Sequence, residues 1–163
     1  MLYYVLSIAL VALDQLVKFQ VRASIPLGES IPFIPHLMDL TYTQNTGAAF
    51  SIFSGFTWLL TLVSLGASVV IAVLLGRNFF PGTWGKLSLA LILAGAVGNL
   101  IDRAFRGFVV DMFNVLFMNF AVFNVADICV VVGGIAAGLY YLFLWDKLES
   151  HRESTNDDAE SDS

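Results

Sequence analysis

The chain has 163 residues, of which 58% are hydrophobic and only 13% charged, with a mean hydropathy of +0.79. Soluble domains carry about one quarter charged residues, so this composition excludes an ordinary water-soluble globule and points to a one-domain integral membrane protein. The net charge of −5 is local: seven of the thirteen acids and two of the eight bases lie from Asp146 onward, which leaves the remainder neutral.

In chain order, the first apolar run is Leu2 to Phe19, interrupted by Asp14 and Lys18. It has no basic stretch before it and continues into polar residues, so it is expected to be a retained span, not a cleaved signal peptide. The segment from Val21 to Gly55 is long and poor in charge. Its β-formers, Ile31 to Ile34 and Leu37 to Thr43, predict strands. Asn45-Thr-Gly-Ala-Ala-Phe50 reads either as a turn with Gly47 in a left-handed conformation or as amides lining a cleft. The second span, Phe56 to Leu75, carries no charge. The third runs from Leu87 to about Phe105 and is apolar until Asn99, followed by Asp102 and Arg103. Phe108 to Phe113 is strand-like and contains Asp111. The fourth span, about Val122 to Trp145, contains Asp127. Each run is near the ~20 residues a spanning helix needs, and all four prolines fall outside them, as helix interiors require. Small residues recur at helix-packing spacing: Ser64 with Ser68, Ala94 with Gly98, Gly134 with Gly138.

Residues 150–163 are expected to form a disordered, acidic, solubilising tail, leaving 1–149 as the membrane domain. Cys129 is the only cysteine, so no intramolecular disulfide exists, and it reads as core packing. His36 and His151 are the only histidines, and no metal-ligating cluster or H-E-x-x-H occurs, so no metal and no cofactor are expected.

Four spans put both termini on one membrane side. The opposite, far side then receives Asp14 and Lys18, the Asn45 segment, Asn99 with Asp102 and Arg103, and Asn124 with Asp127. Within the spans the polar residues are spaced i,i+3 or i,i+4, so each set shares a helix face. The unusual polar groups therefore converge at one face. Basic residues divide four against four, so charge bias does not settle orientation. Because the far-side bases sit beside acids, the near side is expected to be cytoplasmic. A small sheet lying on the bilayer surface at the far side completes the expected architecture, an all-α membrane protein with four transmembrane helices.

A carboxylate at the bilayer centre costs ~2.5–3.5 kcal/mol on insertion scales. Asp111 and Asp127 in apolar surroundings therefore need partners or a use. As a pair they could share a proton, one activating water and the other polarising a carbonyl. Alternatively each pairs with Arg103 or Arg106, or caps a helix; spacing alone leaves both readings open. Asp102 with Arg103 reads as an ion pair, or Arg103 holds a substrate group. Asp14 with Lys18 reads as a helix-stabilising or snorkelling pair. A proton-conducting transporter would place acids at successive depths, yet here they crowd one end. A passive scaffold explains the small residues but not the convergent polar ends. The spans contain no histidine, which excludes a Ser–His mechanism; a Ser–Lys pair using Lys18 stays open.

Five ordered motifs carry a resemblance: Asp14-Gln-x-x-Lys18, Asn45-Thr-Gly-Ala-Ala-Phe50, Gly95-Ala-Val-Gly-Asn-Leu-Ile-Asp-Arg103, Val109-Val-Asp111 and Phe123-Asn-Val-Ala-Asp127. Together they resemble lipoprotein signal peptidase, the aspartyl intramembrane protease signal peptidase II of bacteria. The third motif opens Gly-Ala where a double glycine is common, and Met112 stands where Phe often follows the aspartate. The resemblance implies an endopeptidase that removes the signal peptide from prolipoproteins just before a cysteine carrying diacylglycerol. It implies Asp111 and Asp127 as the catalytic pair. Asn45, Gly47, Asn99, Arg103 and Asn124 would position substrate or the pair, with Asp14, Lys18 and Asp102 as supporting residues. It implies the bacterial plasma membrane, an active site near the outer face, and lipid-modified prolipoproteins and membrane phospholipid as partners. No nucleic acid is expected, and the chain is expected to act as a monomer.

Overall fold

In the computed structural model, residues 1–47 and 55–143 are described. Ala48 to Phe50, the end of the fourth predicted span (Leu144 and Trp145) and the acidic segment 150–163 lie outside them.

Four helices are long and apolar enough to cross a membrane: α1 (Leu2–Ser24), α2 (Thr57–Gly76), α3 (Gly82–Arg106) and α4 (Val125–Phe143). Three strands, β1 (Ser30–Ile34), β2 (Met38–Asn45) and β3 (Val109–Val115), form one antiparallel sheet in the order β1-β2-β3. All four expected spans and all three strand segments are present. Two helices exceed their expected limits. α1 runs on to Ser24 because Val21 is buried with Ile25 against Tyr42, Val110 and Met112 of the sheet. α3 starts at Gly82, behind Pro81, whose extended backbone suits a helix entry.

α3 is the central helix and packs against α1, α2 and α4. Its small residues permit this. A Cβ at Gly95 would overlap the Ala126 carbonyl of α4, and one at Gly98 would stand 2.8 Å from Asp14 Oδ2 of α1. The packing glycine of α4 is Gly133, where a Cβ would meet Ile92 at 2.8 Å. Gly134 and Gly138, expected to pack, instead face open space. The spacing identified a stripe of small residues but not the face that touches a neighbour.

Two backbone devices set the far end of the bundle. Gly107, with φ 78°, ends α3 in a left-handed conformation and turns the chain into β3. Beyond β3 the chain returns, so that Phe123 N–H donates to Phe113 O (3.2 Å) and Phe123 O accepts from Met112 and Phe113 N–H at 3.0 and 2.8 Å. This return sets the start of α4 beside β3. Every residue of β1 is exposed, and Ile31, Phe33 and Ile34 give the strand an apolar surface.

Candidate active site

Four aspartates gather at this end of the bundle in two layers. In the deeper layer Lys18 Nζ lies 2.9 Å from Asp14 Oδ2 and 3.0 Å from Asp102 Oδ2, and Arg106 pairs with Asp102. Lys18 and Asp102 are 0% exposed and Asp14 1%. Two acids and two bases make the layer formally neutral, which a buried set of charges needs. Gln15 joins it, donating to Asp14, the Gly98 carbonyl and Asp102 and accepting from Arg106. The layer also positions backbone. Asp102 Oδ2 accepts the Val110 N–H at 3.0 Å, which fixes β3 on α3. Asp14 Oδ1 accepts the Ala126 N–H at 2.9 Å, satisfying a free donor in the first turn of α4.

These contacts revise two expectations. Lys18 does not snorkel; its ammonium is sealed inside the bundle. Asp102 pairs with Lys18 and Arg106 and not with Arg103, because residues i and i+4 share a helix face while adjacent ones do not.

The second layer contains Asp111 and Asp127, and amides hold it. Asp111 Oδ1 accepts from Asn124 Nδ2 (2.7 Å) and its Oδ2 from Asn45 Nδ2 (2.9 Å). Asp127 Oδ1 accepts from Asn99 Nδ2 (2.7 Å) and its Oδ2 from the Asn124 N–H (3.1 Å). All four carboxylate oxygens thus have a donor. Among the described residues, neither aspartate has a cation within ion-pairing distance. Asn124 touches both and so couples their positions. It also caps α4 reciprocally with Asp127: Asn124 Oδ1 accepts the Asp127 N–H at 2.9 Å while Asp127 accepts the Asn124 N–H. Capping, offered in the sequence as an alternative to chemistry, is thus one of the devices that fix Asp127.

The layers join at Asn99. Its Oδ1 accepts from Lys18 Nζ (3.0 Å) and Asn124 Nδ2 (3.2 Å), which leaves its Nδ2 to donate to Asp127. Asn45 Oδ1 accepts the Gly47 N–H at 2.9 Å, closing an Asx turn.

Asp111 and Asp127 face a cavity of about 590 Å³ that Asn45, Asn99 and Arg103 also line. Its remaining walls are mostly apolar, from α3, α4 and residues 120–123. Asp111 is buried while Asp127 is half-exposed. Burial, with the nearby Asp127 charge, raises the Asp111 carboxyl from its ordinary 3.8 to about 6, against hydrogen bonds from Asn45 and Asn124 that favour ionisation. Arg103 reaches Ser64 Oγ (3.3 Å) and the Gly47 carbonyl (3.2 Å), and its buried Nε has no partner among the described residues. No group of three or more metal-ligating side chains occurs among the described residues.

Each of the ten residues singled out from the sequence falls in one of these layers or bridges them. Gln15 and Ser64 were not named as site residues, and Arg106, offered as a partner for Asp111 or Asp127, pairs with Asp102 instead. The i,i+4 spacing of Asp102 and Arg106 was the available signal for Arg106; Ser64 read as a packing residue, and its contact to Arg103 crosses between helices.

A family described as signal peptidase (SPase) II matches residues 6–143. A lipoprotein signal peptidase of Enterococcus faecalis is 41% identical over 154 residues, covering 94% of this chain and 96% of the relative. One of Streptococcus pneumoniae is 46% identical over 131 residues, covering 80% and 86%. A solved bacterial membrane enzyme superposes with a TM-score of 0.80 at 26% identity, covering 89% of this chain and 88% of the other.

Proposed function

This chain belongs to the signal peptidase II family; it is a membrane peptidase that removes signal peptides from prolipoproteins, and we propose that Asp111 and Asp127 perform the hydrolysis. One observation carries this assignment: all four oxygens of the pair are held by amide donors at a cavity, with no cation within ion-pairing distance among the described residues. Amides fix geometry yet leave the pair's charge free to change.

Asp111 is buried with its carboxyl raised to about 6, which makes it the member of the pair that keeps a shared proton; Asp127, half-exposed at the start of α4, serves as the base. Asp127 takes a proton from a water molecule as its oxygen attacks the scissile carbonyl carbon. Asp111 gives its proton to the carbonyl oxygen, forming a neutral gem-diol. The C–N bond then breaks as the amine nitrogen accepts the proton from Asp127, and a gem-diol proton returns to Asp111. The pair ends with the one proton it began with. Arg103 Nε–H donates to a substrate carbonyl, and Asn45, Asn99 and Asn124 keep the carboxyls in register.

The scissile bond is the one preceding a cysteine that carries diacylglycerol. The apolar surface of β1 rests against the acyl chains and surrounding phospholipid. The near side is cytoplasmic, the site faces outward, the chain acts as a monomer, and residues 150–163 are a dispensable tail. The lipid anchor explains why the pair lies at the end of the bundle: there a bond held at the bilayer boundary meets water.

The substrate assignment is tested by incubating purified protein with diacylglyceryl prolipoprotein and with its unmodified precursor. Release of the signal peptide with cysteine as the new N-terminus is expected from the first and much more slowly from the second. Equal cleavage of both would overturn it.

A further inference from the structure

A second cavity lies at the opposite end of the bundle, where α1 and α3 begin and α2 ends. It measures about 310 Å³ and is lined by Leu2, Tyr3, Tyr4, Gly76, Asn78 and Lys86, among others, none of them acidic. Its walls are set by side chains of fixed position. Tyr4 OH donates to the Ala72 carbonyl at 2.8 Å, and it occupies the space a Cβ at Gly76 would need. Lys86 is half-buried, its Nζ 5.9 Å from the centre of the Tyr3 ring. Among the described residues it has no carboxylate partner, unlike the buried Lys18. Asn78, at φ 54°, turns the chain at the rim.

The depth of this cavity is marked by its neighbours. Trp84 (65% exposed) stands in the first turn of α3 beside the cavity, and tryptophan rings collect at the headgroup level of a bilayer. The connector from Arg77 to Lys86 contains two bases and no acid. A half-buried cation without a carboxylate partner among the described residues, in a cavity lined by no acid, has the chemistry to take a phosphodiester.

We propose that this cavity binds the headgroup phosphate of an anionic phospholipid, with Lys86 as its cation and the Asn78 carboxamide as a rim donor. A zwitterionic headgroup brings its own cation toward Lys86 and fits less well. The site is remote from the aspartate pair and plays no part in cleavage.

The test uses delipidated, full-length protein in neutral detergent. Native mass spectrometry follows titration with phosphatidylglycerol, phosphatidylcholine or glycerol 3-phosphate. Phosphatidylglycerol is expected to bind in preference to phosphatidylcholine, and Lys86→Gln to weaken it roughly fivefold, the contribution of one basic residue at an anionic surface. Arg77→Gln, whose side chain does not line the cavity, should have a smaller effect. Asn78→Gly, which keeps the backbone turn, should also weaken binding. Lys86→Gln should cleave prolipoprotein at the wild-type rate, which confirms folding. Unchanged phosphatidylglycerol binding in both cavity variants, or equal losses from Arg77→Gln and Lys86→Gln, would overturn the proposal. So would equal binding of the two lipids, or displacement of phosphatidylglycerol by equimolar glycerol 3-phosphate.

Discussion

Asp14 and Asp102 meet cations; Asp111 and Asp127, in the same bundle end, meet amides. Burial alone therefore does not decide whether an acid is met by a cation or by amides. An ammonium or guanidinium supplies the full positive charge that a buried carboxylate needs. An amide donor fixes the carboxylate's direction without supplying a full charge, so the proton count of the group can still change. Lys18 and Asn99 form the boundary: the charged layer orients the amide that orients Asp127.

The comparison can be broken most forcefully from the charged side. Lys18→Met leaves Asp14 and Asp102 buried with half their compensation. Removing one member of such a set costs ~3–5 kcal/mol, so a large fall in thermal stability in detergent is expected. An unchanged melting temperature would show that the charged layer does not hold the bundle end together.

The amide layer is sharpened by pH. Below the ordinary carboxylate pKa of 3.8, Asp111 is protonated in folded and unfolded chains alike. Between 3.8 and about 6 the unfolded chain ionises first, so rising pH favours unfolding. Above that window Asp111 has cost the fold up to roughly 3 kcal/mol. Asp111→Asn lacks this loss, so its melting temperature should rise relative to wild type as pH climbs through the window. Parallel curves would contradict the raised carboxyl.

Smaller effects test how closely the helices must approach. Gly95→Ala forces a methyl against the Ala126 carbonyl and Val130. Overpacking of this kind costs ~1–3 kcal/mol; cleavage should fall with it, because α3 and α4 carry Asn99 and Asp127. Gly134→Ala meets open space and should raise stability by up to about 1 kcal/mol through helix propensity. A comparable loss at both positions would refute the assignment of Gly95 as the closer contact.

Much of this was legible in the sequence because lipid is a strict solvent. Apolar runs of spanning length announce helices, and polar residues inside them announce a cost that must be met. Asp111 and Asp127 stood out for that reason, and the motifs around them supplied the asparagines. What was not legible is which partner each polar group chooses. Asp102 has Arg103 beside it and Arg106 one turn on, and only helix geometry with the approach of Lys18 decides between them. The Asn124–Asp127 capping box depends on where α4 begins, and sequence patterns place helix ends least well. Gly133 and Gly134 are adjacent and identical, yet their faces differ by 100° of rotation.

The most direct test is single-turnover cleavage of diacylglyceryl prolipoprotein by Asp111→Asn, Asp127→Asn and Asp14→Asn, each normalised to the amount of folded protein. The two amide-held positions should lose at least about 10³-fold, while folded Asp14→Asn should keep a large part of the wild-type rate. Wild-type cleavage by either Asp111→Asn or Asp127→Asn, or a folded but inactive Asp14→Asn, would contradict the division between the two layers.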